Sequence, residues 1–187
     1  MNHNYLSPAR WALLAALLIA LPLSSSALAA FTITKRPAGT PFERSTSGID
    51  LVRVLKSERQ LQLISNGQVV RSYRVSLGKS PKGHKEYEGD RRTPEGTYTL
   101  DWRQHSKNYQ LSIHIDYPNA QDRLNAAKIG RDPGSMIMLH GTPIDEEFPE
   151  WYFNTLDWTD GCIALNNRDM REVWERVLDG TKIEILP

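Results

Sequence analysis

The sequence predicts a mainly β single domain with one main C-terminal helix before a final strand. Three observations lead there. Short stretches of two-residue apolar alternation recur along the chain, an Asn-Gly step separates two of them, and one segment near the C-terminus carries helical spacing over several turns. At 187 residues the chain is long enough for one domain with a proper core. The predicted organisation is a signal peptide at 1–29, a leader at 30–49 and the domain at 50–187.

The signal peptide rests on its layout. Arg10 is the only charged residue ahead of an apolar run at 11–23. Ser24-Ser25-Ser26 and Ala27-Leu28-Ala29 follow, an A-x-A cleavage pattern. A spanning helix needs about 20 apolar residues, so no stable membrane anchor is expected. The expected location is the periplasm or cell envelope. The leader is rich in Pro, Thr, Ser and Gly. With Arg10 set aside, basic and acidic side chains balance at 22 each, which gives no reason to expect nucleic acid or an anionic membrane as partner.

The strands follow in order. In 50–56, Leu51, Val52 and Val54 are set against Arg53 and Lys56. Residues 60–64 alternate, Ser65-Asn66-Gly67 makes a hairpin turn, and 68–77 runs back with Val69, Tyr73 and Val75. Residues 97–102 form another candidate. Leu111, Ile113, Ile115 and Tyr117 face one way, with Ser112, His114 and Asp116 opposite. Residues 136–139 are wholly apolar, as in a strand covered on both faces. A short helix is expected at 121–128. The main helix is capped by Asn166 and Asn167, with Asp169 and Glu172 near its positive end. Its apolar face carries Met170, Val173, Trp174 and Val177, and Gly180 ends it. Residues 181–186 alternate into the last strand.

Chemistry centres on Cys162, the one cysteine of the chain, within Thr159-Asp160-Gly161-Cys162. Exported proteins pair their cysteines, so a single one is left for intermolecular pairing or chemistry. Upstream, His140 closes an apolar run before Gly141-Thr142. A thiol and an imidazole brought together make an acyl-transfer nucleophile and its base. The competing reading is a buried cysteine and an unrelated histidine. Gly-Lys-Ser at 78–80 lacks the leading glycine of a phosphate loop. His84, His105 and His114 have no metal-ligand spacing, and no G-x-S-x-G occurs. No metal or other cofactor is expected. Lys79, Lys82, Lys85, Arg91 and Arg92 read as solvated loop charge.

Three blocks together resemble the catalytic domain of the L,D-transpeptidases, the YkuD-like enzymes of peptidoglycan. They are residues 77–98 with Leu77-Gly78-Lys79-Ser80-Pro81 and Thr93-Pro94-Glu95-Gly96-Thr97-Tyr98, residues 117–142 ending in His140-Gly141-Thr142, and Thr159-Asp160-Gly161-Cys162-Ile163 with the helix and strand behind it. The resemblance implies a mixed sandwich or barrel-like β fold. It also implies Cys162 as nucleophile, His140 as base, and Gly161, Thr159, Asp160 and Gly141 as oxyanion or substrate-binding positions. Backbone N–H groups of Gly161 and Cys162 would hold the oxyanion. The implied partners are peptidoglycan stem peptides and, in one variant, a wall-linked protein.

Thr159, Asp160 and Ala164 depart from the family's Ser, His and Arg. A hydrolase of the same family that trims stems or releases wall-linked peptides or proteins therefore stands beside the transpeptidase reading. A non-catalytic wall-binding module is the third. The segment between His140 and Cys162 carries Glu146, Glu147, Phe148, Trp151, Tyr152 and Phe153, and is expected to form a lid. Trp151, Tyr152 and Trp158 either stack on substrate or pack the core.

Overall fold

The computed structural model describes residues 48–144 and 148–187. The expected signal peptide, nearly all of the leader, and Glu146 and Glu147 of the expected lid lie outside them. Eight strands form one mixed sheet: β1 (Leu51–Leu55), β2 (Gln60–Ser65), β3 (Gln68–Arg74), β4 (Gly96–Ser106), β5 (Gln110–Ile115), β6 (Met138–His140), β7 (Ile163–Ala164) and β8 (Thr181–Leu186). Their order is β3-β2-β1-β8-β4-β5-β6-β7. The β1–β8 and β6–β7 pairs are parallel and the others antiparallel. The helices are α1 (Ala120–Lys128), α2 (Glu150–Phe153) and α3 (Asn167–Arg176).

Apolar alternation places Val52, Val54, Leu61, Leu63, Ile183 and Ile185 in one fully buried layer. Met170 and Val173 of α3 join the same core. Burial of each such side chain is worth about 1.5–3 kcal/mol. The β2–β3 turn has positive φ at both Asn66 (51°) and Gly67 (74°), the type I′ geometry that Asn-Gly favours. Asn166 caps α3 by accepting from Asp169 N at 2.8 Å. Asn119 and Asp122 form a capping box on α1.

The two edges of the sheet meet. After β3 the chain runs on beside β7, and Ser76 and Ala164 exchange two backbone hydrogen bonds of 2.9 Å. Thr159 N donates to Leu77 O at 3.2 Å, and Lys79 N donates to Thr159 O at 2.9 Å. Asp157 secures the seam by accepting from Leu77 N and from the Arg59 guanidinium. The curled sheet is thereby closed on itself, the barrel-like form expected from the resemblance.

Local details depart from expectation for identifiable reasons. Val69 is half-exposed, because a register shift at Leu63/Ile64 breaks the alternation of β3. β4 runs on to Ser106, past the polar stretch where the sequence signal fades. Met136 is exposed at φ 60°, outside β6. The α3 helix stops at Arg176, before Gly180. Its last carbonyls are taken by the Arg103 guanidinium, at 2.8 Å from Trp174 O and 2.7 Å from Val177 O. Lys56, expected on the outer face, is buried and donates to Gly83 O, Thr93 O and Glu95 Oε1.

Gly78 marks the tightest point of the seam. An added Cβ would lie 2.3 Å from Arg91 O and 3.2 Å from Gly161 Cα. Gly78→Ala is therefore expected to destabilise the fold by about 2 kcal/mol or more, as overpacking against backbone does. Urea unfolding of this variant measures it. Gly48→Ala, where a Cβ meets nothing within 4 Å, is the matched control.

Candidate active site

The seam forms the turn that carries Cys162. Thr159 is held on both sides by backbone bonds to Leu77 and Lys79, and its buried hydroxyl closes the turn from within. Thr159 Oγ1 donates to Cys162 O at 2.8 Å and accepts from Gly161 N at 3.1 Å. Gly161 has φ 138°, and a Cβ there would lie 2.8 Å from Arg92 O. Only glycine fits that conformation and that space. The Gly161 N–H expected to hold an oxyanion is thus already engaged by Thr159.

Cys162 is free and half-buried one residue before β7. Its Sγ lies 3.7 Å from Met136 O, an acceptor for the S–H. Burial pushes the thiol pKa up, and Asp160 adds to the rise. A hydrogen bond from the Met138 backbone and the Lys85 cation act in the opposite direction.

His140 ends β6 and is buried. Its Nδ1 lies 2.7 Å from Gly141 O. A carbonyl only accepts, so Nδ1 carries the proton and Nε2 keeps the lone pair. Burial pushes the imidazole pKa down to about 4, against a smaller rise from the Gly141 bond. The Tyr109 ring stacks on the imidazole at 4.1 Å and 29°, and Trp158 meets it edge-on at 5.6 Å. Gly141 is a glycine for packing, since a Cβ would lie 2.2 Å from Asn167 Oδ1. Asn167 Nδ2 donates to Thr142 Oγ1 at 2.8 Å, and Glu150 accepts from both Thr142 Oγ1 and Asn167 N. That network ties α2 to the start of α3 beside the histidine.

Parallel pairing of β6 with β7 sets His140 opposite Ala164, two residues past Cys162. His140 and Cys162 both line one cavity of about 370 Å³, together with Tyr109, Ser112, Met138 and Trp158. A second cavity of about 450 Å³ also borders Cys162, lined further by Lys85, Glu88, Arg91 and Gly134. Met136, Asp160 and Cys162 border both. The first cavity carries charge only at Asp160, whereas the second carries four charged side chains. Asp160 is well exposed and pairs with Lys79 at 3.2 Å and Arg91 at 3.8 Å.

The sequence-predicted residues Cys162, His140, Thr159 and Asp160 thus converge on one cavity, while Gly161 and Gly141 shape its backbone. The basic stretch departs from expectation. Lys85 is buried and ion-paired to Asp90 at 2.8 Å, and Arg92 pairs with Glu86. His84, His105 and His114 lie apart, engaged with Asp122, Trp174 and Asp101 respectively. The described aromatics of the expected lid border neither cavity. Phe148 and Trp151 are exposed, Phe153 is buried, and Phe148 stacks on Tyr152 at 4.6 Å. Trp158 alone of the aromatics singled out reaches the site. Tyr109 has no sequence signal, being one polar-turn residue among several between β4 and β5.

A family model for the L,D-transpeptidase catalytic domain (YkuD) matches residues 49–185. The "Putative L,D-transpeptidase YafK" of Escherichia coli is 25% identical over 173 residues, covering 89% of this chain and 63% of that protein. Among solved structures, the helical cell shape determining protein Pgp2 from Campylobacter jejuni is similar at TM-score 0.57 and 25% identity, over 75% of this chain and 48% of that one. Bdellovibrio bacteriovorus Bd1075 gives TM-score 0.54 and 25% identity, over 77% and 50%. The chain thus spans less than two thirds of that relative and about half of each of these structures. With the family match extending over the closed sheet, the Thr159–Cys162 turn and His140, the chain belongs to the L,D-transpeptidase catalytic domain family.

Proposed function

We propose that this protein is an exported cysteine L,D-transpeptidase that acts on peptidoglycan stem peptides through a thioester. The observation that carries the reading is the convergence of Cys162 and His140 on one cavity, with the His140 proton fixed on Nδ1. Export rests on the Arg10, apolar-run and Ala27-Leu28-Ala29 pattern.

The resting pair is neutral. The thiol is raised and the imidazole lowered, so both stay uncharged near pH 7. Attack and proton transfer then proceed together: Sγ bonds to the substrate carbonyl carbon while His140 Nε2 takes the thiol proton. The Cys162 N–H carries the oxyanion role, because Thr159 already occupies the Gly161 N–H. As the C–N bond breaks, His140 returns the proton to the leaving amine and a thioester remains. An incoming amine attacks the thioester, His140 takes its proton, and the Cys162 sulfur leaves and is reprotonated. Two cavities meeting at one sulfur suit a reaction with an acyl donor and an acceptor. His140 borders only the less charged one, so leaving and entering amines are assigned there.

The hydrolase alternative shares every step but the last, where water replaces the amine. It gains from the position of the α2 aromatics, which cover neither cavity.

A carbapenem, an acyl donor with a strained ring, is expected to give one covalent adduct at Cys162 by intact-mass and peptide analysis. Cys162→Ala loses adduct and turnover. His140→Ala slows acylation by about a hundredfold or more. An adduct that persists in Cys162→Ala rejects the nucleophile.

His140 is a depressed base, so the acid limb of kcat/KM should fall near pH 4 instead of near 6.5. The folded state then binds this proton later than the unfolded chain does. Its contribution to stability is complete above about 6.5 and is lost as pH falls towards 4. His140→Gln should remove that part of the pH dependence of the urea midpoint.

Tetrapeptide stems incubated with a D-amino acid or a second stem should yield exchange or dimer products by mass spectrometry. Tripeptide and free D-amino acid alone, or release of a wall-linked protein, would establish the hydrolase instead.

A further inference from the structure

Among the described residues, no carboxylate meets His140, although a carboxylate usually steadies a catalytic imidazole. Its Nδ1 partner is a neutral carbonyl, and burial disfavours its charged form. The charge that appears when it takes a proton must be stabilised by something else nearby. Among the described residues, the titratable groups around it are few. Cys162 and Asp160 border the same cavity, and Asp160 is drawn towards Lys79 and Arg91. Glu150 is engaged with Thr142 and Asn167. Ser112 of β5 and Ala164 of β7 flank His140 in the sheet and carry no charge. Against the flat face of the ring lies Tyr109, at 4.1 Å between centroids and 29° between planes. An aromatic face attracts a cation within about 6 Å, and more strongly when water is excluded.

We propose that Tyr109 is a positioning residue for the base, whose ring face holds the imidazole of His140 in register and stabilises the imidazolium formed when His140 takes the thiol proton. This rests on the assignment of His140 as base. Tyr109 thus does the work of the absent carboxylate without adding a charge to the cavity. The stacking also fixes the ring about the Nδ1–Gly141 bond, so Nε2 stays turned to the cavity as the proton moves. Trp158, edge-on to the imidazole and 6.2 Å from Tyr109, bounds the other side of the cage.

The test separates ring electrons from ring shape. Phenylalanine and a series of increasingly fluorinated phenylalanines are placed at position 109, keeping volume while weakening the negative ring face. Carbapenem acylation at pH 6 should be near wild type for Tyr109→Phe and fall stepwise with fluorination, by about tenfold across the series. Unfolding midpoints should stay level. In a Cys162→Ala background, NMR titration of the His140 ring should move to lower pH along the same series. A flat acylation series, or Tyr109→Phe already as slow as the most fluorinated variant, would overturn the proposal, because packing or the hydroxyl would then explain the contact. If no variant is acylated, wild type included, the base assignment fails, and the NMR titration alone decides whether Tyr109 stabilises the imidazolium.

Discussion

The closure of the sheet between residues 76–79 and the 159–164 segment is the constraint on which the rest of the structure depends. β7 has only two residues, too few to be held by β6 alone. Its other edge is held by Ser76, and the turn before it is held by Leu77 and Lys79. The Thr159–Cys162 turn is therefore clamped between backbones instead of projecting from a loop. Such clamping demands close approach, which is why Gly78 and Gly161 sit face to face and neither has room for a Cβ. The seam thus fixes the backbone around Cys162 on two sides, the kind of support a precisely placed side chain requires.

Electrostatics around the site divide along the same line. Behind the seam, the 78–95 segment is organised by two buried lysines. Lys56 gathers Gly83, Thr93 and Glu95, and Lys85 pairs with Asp90. Desolvated pairs of this kind do little for stability relative to apolar packing, but removing one partner strands the other at high cost. By contrast, His140 lies among aromatic rings and backbone, and burial disfavours its charged form. Two differently charged surroundings, sharing Asp160, therefore meet at Cys162.

Much of this was legible in the sequence because it is local. Two-residue alternation located β1, β2, β5 and β8, Asn66-Gly67 specified its turn, and Asn166 marked the start of α3. Cys162 and His140 stood out because motif and composition isolated them. What escaped notice depends on partners distant in sequence. Lys56 and Lys85 look like surface charge until Glu95 and Asp90 are brought to them. The end of α3 is set by Arg103, some seventy residues earlier, and not by Gly180. Tyr109 acquires meaning only when hairpin β4–β5 folds over His140. The aromatic segment after Thr142 is fixed by another distant partner: Glu150 accepts from Thr142 and from Asn167 at the start of α3.

The departure at position 164 has a structural reading of the same kind. The related signature carries an arginine there, whereas Ala164 is buried and spends both backbone groups on the seam with Ser76. A long cation at that position would start from inside the closure. The cations near Cys162 come from the segment that follows the seam strand and packs against its turn: Lys79 and Arg91 share Asp160, and Lys85 reaches the cavity from its pair with Asp90. Asp160, standing where the signature has a histidine, is the counterpart that holds the two exposed cations at the cavity rim. The cavity wall beside Cys162 thus draws its charge from the segment packed against the turn, where Lys85 and Arg91 are each matched by an acidic partner.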